Sequence, residues 1–117
     1  MIALRSQKGF TMLELVIVLV IIATLAGIGV PKYLSMQKQA QIAADKANRA
    51  AIQTAIMNRY VDKINRGDRV TMQDIVNQFN SNPNSFFPTG KVPNPPTDIK
   101  KRYKARIRND RIEVYIQ

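Results

Sequence analysis

An unbroken apolar run near the start of the chain constrains its fold more strongly than any other feature. The run extends from Phe10 to Val30 and reads FTMLELVIVLVIIATLAGIGV, with Glu14 as its only ionisable side chain. A helix of about 20 apolar residues crosses the hydrocarbon core of a bilayer, which is about 30 Å thick. The apolar segment of a secretory signal peptide is shorter, at roughly 7 to 15 residues. We therefore predict a membrane-spanning helix.

The rest of the composition argues against catalysis. The 117 residues contain Cys 0 and His 0, which removes the thiolate metal ligand, the disulfide and the usual general base. The sequence has no glycine-rich phosphate loop, and the spacing of Asp98, Asp110 and Glu113 matches no known calcium loop. We expect a protein that is not an enzyme, with no catalytic residue, no cofactor and no metal.

The helix is expected to continue past the apolar run. Pro31 lacks an N–H and clashes with the carbonyl four residues back, so a kink or local loosening is expected near Gly27. Helical spacing then resumes, and Gly67 is the expected stop. The resumed pattern contains an alanine stripe and an isoleucine-rich stripe at steps of three and four: Ala44, Ala47, Ala51, Ala55, Ile52, Ile56, Tyr60 and Ile64.

Two expectations follow for the faces of this helix. We expect the alanine stripe to pack against the C-terminal part of the same subunit, in preference to serving only as a face between subunits. Lys46, Arg49 and Gln53 fall on the opposite face, which we expect to be solvated.

The C-terminal part of the sequence predicts a short helix and a β-hairpin. Thr71 followed by Asp74 is typical of a helix N-cap, and apolar residues at helical spacing predict a helix over residues 72 to 79. Prolines concentrate in residues 80 to 98, which predicts an irregular loop. Apolar residues alternate with polar ones on both sides of Asn109 and Asp110, which predicts a two-stranded hairpin over about residues 103 to 116.

The predicted fold class is therefore α+β, with a long N-terminal helix whose first half spans the membrane and a small C-terminal head. The predicted divisions are 1–9, a leader; 10–31, the transmembrane segment; 32–66, the amphipathic continuation of the helix; and 67–117, the head.

Positive charge is concentrated in the part of the chain that follows the apolar run. The formal net charge is +10, and all 18 Lys and Arg residues except Arg5 and Lys8 lie after Pro31. The densest group is Lys100, Lys101, Arg102, Lys104, Arg106, Arg108 and Arg111. Such a run binds polyanions such as DNA, or it serves as a solvated surface or a contact for acidic groups of a neighbouring subunit.

The most specific motif is the junction Lys8-Gly9-Phe10-Thr11-Met12-Leu13-Glu14 set against the apolar run. This junction resembles the processing site of type IV pilins and pseudopilins, and the resemblance extends to about residue 35, including the helix-breaking proline at Pro31. It implies that a membrane-bound prepilin peptidase cuts after Gly9 and that the new amine of Phe10 is methylated. A glycine leaves the backbone open to a protease.

The resemblance also implies a role for Glu14 in assembly. A carboxylate inside a membrane span costs roughly 2.5 to 3.5 kcal/mol on insertion scales, so it should have a partner. In this family the partner is the amine of a neighbouring subunit, here that of Phe10, and the pair sets the axial register of packed helices. An alternative from position alone is that Glu14 lies in the headgroup region and stays hydrated.

Two classes of function follow. The resemblance implies a structural subunit of a type IV pilus-like filament, a homo-oligomer that interacts with the peptidase and an inner-membrane platform. Such a subunit is a single-pass protein of the cytoplasmic membrane before assembly and part of a surface or periplasmic filament afterwards. Pseudopilins of type II secretion or of competence remain alternatives. The other class is a membrane-anchored monomer whose basic head binds DNA or another polyanion; it has no need of Gly9 or Glu14.

Overall fold

The computed structural model describes Gly9 and residues 11–117. The chain divides into two compact units, Met1–Lys38 and Gln39–Gln117. The elements are α1 (Met12–Asn65), α2 (Met72–Ser81), a 3-10 helix (Pro83–Phe86), β1 (Tyr103–Arg108) and β2 (Arg111–Ile116). A long N-terminal helix followed by a short helix and a hairpin confirms the predicted α+β class. The four-part division at residues 9, 31 and 66 stays a prediction.

Helix α1 continues through Pro31 and ends near the predicted glycine. Pro31 lies inside the helix, and no break in α1 accompanies it. At the other end Gly67 has a φ of 85°, a left-handed conformation that glycine adopts without a steric penalty. The N–H of Gly67 donates to the Ile64 carbonyl at 2.9 Å, and the N–H of Asp68 donates to the Lys63 carbonyl at 3.1 Å. These bonds satisfy carbonyls that the helix end leaves open.

Helix α2 begins at the predicted cap. Thr71 Oγ1 accepts a hydrogen bond from the Asp74 N–H at 3.2 Å, and Asp74 Oδ2 accepts one from the Thr71 N–H at 2.8 Å. This reciprocal pair is a capping box. The Thr71 backbone and hydroxyl bonds to the carboxylate lower the pKa of Asp74 below its usual value. The helix ends at Ser81, two residues beyond the predicted end.

The core of the C-terminal unit joins all of its elements. The buried apolar residues are Ile52 and Ile56 from α1, Ile75, Val76 and Phe79 from α2, Phe86 from the 3-10 helix, and Tyr103, Ala105 and Val114 from the hairpin. Phe79 and Phe86 meet edge to face with ring centroids 5.4 Å apart. The Arg59 guanidinium lies 4.4 Å from the Phe86 centroid and covers its outer side.

The hairpin has the predicted extent and turn. Strands β1 and β2 pair antiparallel from Tyr103 opposite Ile116 to Arg108 opposite Arg111. Asn109 and Asp110 have φ values of 51° and 59°. Two successive left-handed residues make a type I′ turn, whose twist matches that of the strands and which Asn and Asp tolerate.

Side chains from the two helices protect both outer edges of the hairpin. On β1, the Asn80 amide of α2 donates to the Ala105 carbonyl at 2.8 Å and accepts from the Ala105 N–H at 2.9 Å. On β2, Arg49 Nη1 donates to the Val114 carbonyl at 2.6 Å, and Gln53 Nε2 donates to the Ile112 carbonyl at 2.9 Å. On each strand, some of the backbone groups that an open sheet edge exposes thereby gain a partner.

Two predictions about the faces of α1 are only partly right. Lys46 and Gln53 are exposed as predicted, but Arg49 is half-buried, and both Arg49 and Gln53 donate to carbonyls of β2. The alanine stripe, in turn, does not pack within the subunit as a whole: Ala55 contacts the core, but Ala44, Ala47 and Ala51 are exposed. Burying isoleucine removes more apolar area from water than burying alanine, so the isoleucines set the orientation of the helix.

Candidate assembly segment and basic hairpin

Gly9 has no structural reason, within the described residues, to be a glycine. It is exposed, and a Cβ built on it meets nothing within 4 Å. Phe10, the predicted methylation site, lies outside the described residues. Packing within the described part of the chain therefore does not explain why residue 9 is a glycine.

Thr11 and Glu14 form a second capping box, at the start of α1. Thr11 Oγ1 accepts from the Glu14 N–H at 3.2 Å, and Glu14 Oε2 accepts from the Thr11 N–H at 3.3 Å. A carboxylate here also interacts favourably with the positive end of the helix dipole. Thr11 was not predicted as a cap, although Thr-x-x-Glu has the same spacing as the Thr71 and Asp74 pair. Glu14 thus has a partner within its own chain.

The first part of α1 exposes a continuous apolar surface. An 18-residue window in the helix has a hydropathy of 2.7 and 0% of it is buried. Leu13 is 70% exposed and Leu25 65%. Soluble monomers rarely expose an apolar surface of this extent, so the surface is suited to contact with lipid or with other chains. Thr24 is compatible with such a setting, because its hydroxyl donates within the helix to the carbonyls of Val20 at 3.0 Å and Ile21 at 2.8 Å.

Two glycines within this apolar surface also lack a packing reason. Gly27 and Gly29 lie inside α1, and a Cβ at either position meets nothing within 4 Å. A glycine inside a helix costs about 1 kcal/mol relative to alanine. In membrane helices such small residues allow another backbone to approach closely. These positions therefore suit contact with a second helix.

The structure divides the predicted basic run into three places. Lys100 and Lys101 lie in the turn before β1, and Arg102 lies next to the strand, where its backbone exchanges two hydrogen bonds with Gln117. The outer face of the hairpin, named here the basic hairpin face, carries the remaining four with two other side chains: Lys104, Arg106, Arg108, Arg111, Glu113 and Tyr115. Lys104, Arg106 and Arg108 share this face because they occupy alternate positions along β1.

Charge on the basic hairpin face is only partly compensated. Arg106 Nε contacts Glu113 Oε2 at 2.7 Å, and its guanidinium lies 5.0 Å from the Tyr115 ring centroid. The hydrogen bond from Arg106 lowers the pKa of Glu113 below its usual value. Arg108 faces Arg111 directly across the strands. Like charges directly opposite each other destabilise a hairpin, so the repulsion between Arg108 and Arg111 lowers the stability of this one.

The acidic residues do not assemble into a metal site within the described part of the chain. No group of three or more His, Cys, Asp or Glu side chains there is placed to hold a metal ion. Asp98 instead accepts a hydrogen bond from the Lys100 N–H at 3.0 Å, and Glu113 is paired with Arg106.

Comparison with known proteins places the N-terminal motif in a family. Residues 4–30 match the prokaryotic N-terminal methylation motif. The chain is 38% identical over 52 residues to a fimbrial protein of Pseudomonas aeruginosa, which covers 44% of this chain and 34% of that protein. It has the same identity over 52 residues to the type II secretion system core protein G of Pseudomonas aeruginosa, covering 44% of this chain and 37% of that one.

A third relative comes from another organism. The chain is 46% identical over 48 residues to the type IV narrow pilus major component PilA5 of Thermus thermophilus, covering 41% of each. The chain thus spans about a third to two fifths of the curated relatives it matches, from 34% to 41% of their lengths. No solved structure matches it. Residues 4–30 thus carry an N-terminal methylation motif, and over less than half of its length the chain is similar to a fimbrial protein, a type IV narrow pilus component and a type II secretion core protein.

Proposed function

We propose that the chain is a structural subunit of a type IV pilus-like filament and that it assembles through the apolar part of α1. The main support for the proposal is that the most hydrophobic 18-residue stretch of α1 is 0% buried. Glu14 places a carboxylate near the start of this helix. A lipid bilayer covers such a surface before assembly, and the helices of neighbouring subunits cover it afterwards. The role is structural and needs no catalytic group.

Processing is the first step of the proposed pathway. A prepilin peptidase cuts after Gly9, and the amine of Phe10 is then methylated. In support, Gly9 is exposed, and a Cβ at this position would meet no atom within 4 Å. The fold of the chain therefore does not require a glycine there. A peptidase that must reach the backbone supplies such a requirement.

Glu14 acts in both folding and assembly. Its Oε2 accepts the Thr11 N–H at 3.3 Å, a long bond that leaves the carboxylate further acceptor capacity. The proposed second partner is the Phe10 amine of a neighbouring subunit, which neutralises the carboxylate and fixes the axial register of the two helices. Gly27, Gly29 and the exposed Ala47 and Ala51 then allow close approach between helices.

The proposed location changes with assembly. Before assembly the subunit is a single-pass protein of the cytoplasmic membrane, in contact with the peptidase and an inner-membrane platform. After assembly it is part of a filament at the cell surface or in the periplasm. The names of its relatives include both a narrow pilus component and a type II secretion core protein. A pseudopilin of secretion or of competence is therefore the alternative within the same structural role.

Separate substitutions of the two capping residues, Glu14 and Thr11, test the register role of Glu14. Glu14→Gln retains an oxygen that accepts the Thr11 N–H but removes the charge, whereas Thr11→Ala removes the cap and retains the charge. We expect Glu14→Gln, like Glu14→Val, to reduce sheared filaments at least tenfold. Thr11→Ala should cost about 1 kcal/mol of helix stability and leave most filaments.

The measurement is the amount of this chain in sheared filaments relative to the amount in membranes. Equal membrane levels and equal cleavage of all variants serve as the control for insertion and folding. Normal filaments from Glu14→Gln, with loss in Thr11→Ala, would assign Glu14 to capping alone and remove the register role.

A second function is favoured by one specific observation, the placement of Arg108 directly opposite Arg111 on the basic hairpin face. A phosphate backbone placed against this face would relieve the repulsion between them. We propose that many copies along a filament bind DNA or another polyanion, with Lys104, Arg106, Arg108 and Arg111 as contacts and Lys100, Lys101 and Arg102 at the adjoining end. The alternative is that the basic hairpin face is a solvated surface or a contact with a neighbouring subunit.

A further inference from the structure

A polar cavity of about 540 Å³ lies on the C-terminal unit, at the end of the hairpin where β1 begins. Its walls come from the C-terminal end of α2, the loop between the 3-10 helix and β1, and the start of β1. Cavities of about 300 to 1,000 Å³ are the usual size of small-molecule sites. The space accommodates a mono- or disaccharide, but no polymer fits inside it as a whole.

Carboxamide side chains supply most of the polar lining. Asn82, Asn84 and Asn94 line the cavity together with Ser81. Asn84 Oδ1 accepts the Val92 N–H at 3.2 Å, which orients this amide and leaves its Nδ2 donors for a ligand. Within residues 11–117, the amide groups of Asn82 and Asn94 have no hydrogen-bond partner. The cavity therefore offers both donors and acceptors.

Two cations complete the lining. Lys91 and Arg102 both face the cavity, and no carboxylate belongs to its walls. In the described part of the chain neither side chain forms an ion pair. Charge-assisted hydrogen bonds to a carboxylate or phosphate are about twice as strong as neutral ones, and the arginine fork matches both groups. An anionic group on the ligand is thus selected over a neutral or cationic one.

The walls are held in place before any ligand arrives. The Arg102 N–H donates to the Gln117 carbonyl at 3.1 Å, and the Gln117 N–H returns a bond of 2.9 Å to the Arg102 carbonyl. The Tyr103 hydroxyl donates to Asp45 Oδ1 at 2.7 Å and fixes the strand to α1. Pro83 and Pro93 restrict the backbone on the remaining sides. Such preorganisation reduces the entropic cost of binding.

We propose that this cavity binds an acidic saccharide, a sugar that carries a carboxylate or phosphate group. Sugar hydroxyls both donate and accept, as the carboxamides do, while the acidic group binds Lys91 and Arg102. A peptide carboxylate needs donors only and leaves the amide oxygens unused. A nucleobase lacks a stacking surface here, because the Tyr103 ring is only 3% exposed. The proposal goes beyond the filament role and does not depend on it.

The test is isothermal titration of the full chain in detergent with five probes: digalacturonate, glucose 6-phosphate, maltose, inorganic phosphate and diglutamate. Both acidic saccharides should bind at least tenfold more tightly than maltose, and the stronger of the two identifies the acidic group. Lys91→Gln and Arg102→Gln should each weaken their binding about tenfold. Asn82→Ala should weaken saccharide binding several-fold and leave inorganic phosphate unchanged.

Arg69→Gln is the matched control, since it removes one positive charge from an exposed position that belongs neither to the cavity lining nor to the basic hairpin face. It should leave saccharide binding unchanged. The proposal is overturned if Arg69→Gln weakens binding as much as Lys91→Gln, or if maltose binds as tightly as the acidic sugars. It is also overturned if inorganic phosphate binds as tightly as glucose 6-phosphate and Asn82→Ala has no effect, or if diglutamate matches digalacturonate. Lys91 lies in an exposed loop, so Lys91→Gln decides the matter even if Arg102→Gln misfolds.

Discussion

Asn80 is a single side chain that completes the edge of a strand. Its amide pairs with both backbone groups of Ala105, at 2.8 and 2.9 Å, and Ala105 is only 2% exposed. A carboxamide in this position imitates the hydrogen bonds of a third strand. The C-terminal unit therefore manages with two strands where an open edge would otherwise be left.

Replacing this side chain should be costly. Asn80→Ala leaves a buried N–H and a buried carbonyl without partners, and each costs about 1 to 3 kcal/mol. We expect the free energy of unfolding to fall by about 2 to 4 kcal/mol, measured by denaturant titration of the full chain in detergent. Asn58→Ala, an exposed position on α1, is the control and should change stability by less than about 0.5 kcal/mol. Similar stability of the two variants would contradict the edge role.

Sequence patterns predicted local contacts between residues and missed distant ones. The Thr71 to Asp74 cap was predicted because both partners lie within one helical turn. Arg49 binds the Val114 carbonyl 65 residues away, and this contact depends on how β2 packs against α1. Charge alone therefore gave the wrong face for Arg49. Thr11 could have been found, since its signal is as local as that of the cap at Thr71, although its partner is Glu14 instead of an aspartate and it lies beside an apolar run.

The helix α2 couples its stability to pH through its cap. Bonds from Thr71 lower the pKa of Asp74, so the folded state favours the carboxylate. This contribution is complete above the usual carboxyl pKa of about 3.9 and is lost as pH falls through the lower folded value. We expect the wild-type chain to lose stability below about pH 4, with a smaller loss for Asp74→Asn. Circular dichroism melts at pH 7 and pH 3 measure it, and equal losses would contradict the assignment.

The hairpin presents its charged residues to one side, and this makes the polyanion proposal testable. Lys104, Arg106 and Arg108 changed together to Gln should lower DNA retention by purified filaments several-fold, and retention by the wild type should fall steeply with salt. One copy offers few phosphate contacts, so the soluble full chain in detergent should bind weakly and the filament strongly. Equal retention by wild-type and triple-variant filaments would leave this face as a solvated or subunit-facing surface.

The positions of helices and strands could be predicted better than the side of each element that is buried. The hairpin follows from strict alternation and from Asn109 and Asp110, and α2 follows from its cap and its apolar spacing. The alanine stripe was assigned to the wrong surface because small residues suit contacts inside a subunit and between subunits equally well. The polar cavity at Lys91 and Arg102 had no sequence signal, since its walls come from segments that only the folded chain brings together.

For the whole molecule, the chain combines a unit with its own core and an apolar segment without one. Residues of the C-terminal unit bury their isoleucines and phenylalanines against one another, whereas Met12 is 84% exposed and Ile28 71%. A sequence can predict this contrast because an apolar run of such length has no room in so small a core. In the proposed function, lipid or other subunits cover the apolar segment.

The most direct test of the filament account is the intact mass of this chain in sheared filaments and in native membranes. The account predicts a mature species of residues 10–117 carrying one methyl group, with its methyl on the Phe10 amine by fragmentation. Gly9→Val should leave unprocessed chain in the membrane and no filaments, while Gly9→Ala is the milder change. Filaments built from an uncleaved Met1–Gln117 species, in the wild type or in Gly9→Val, would contradict the account.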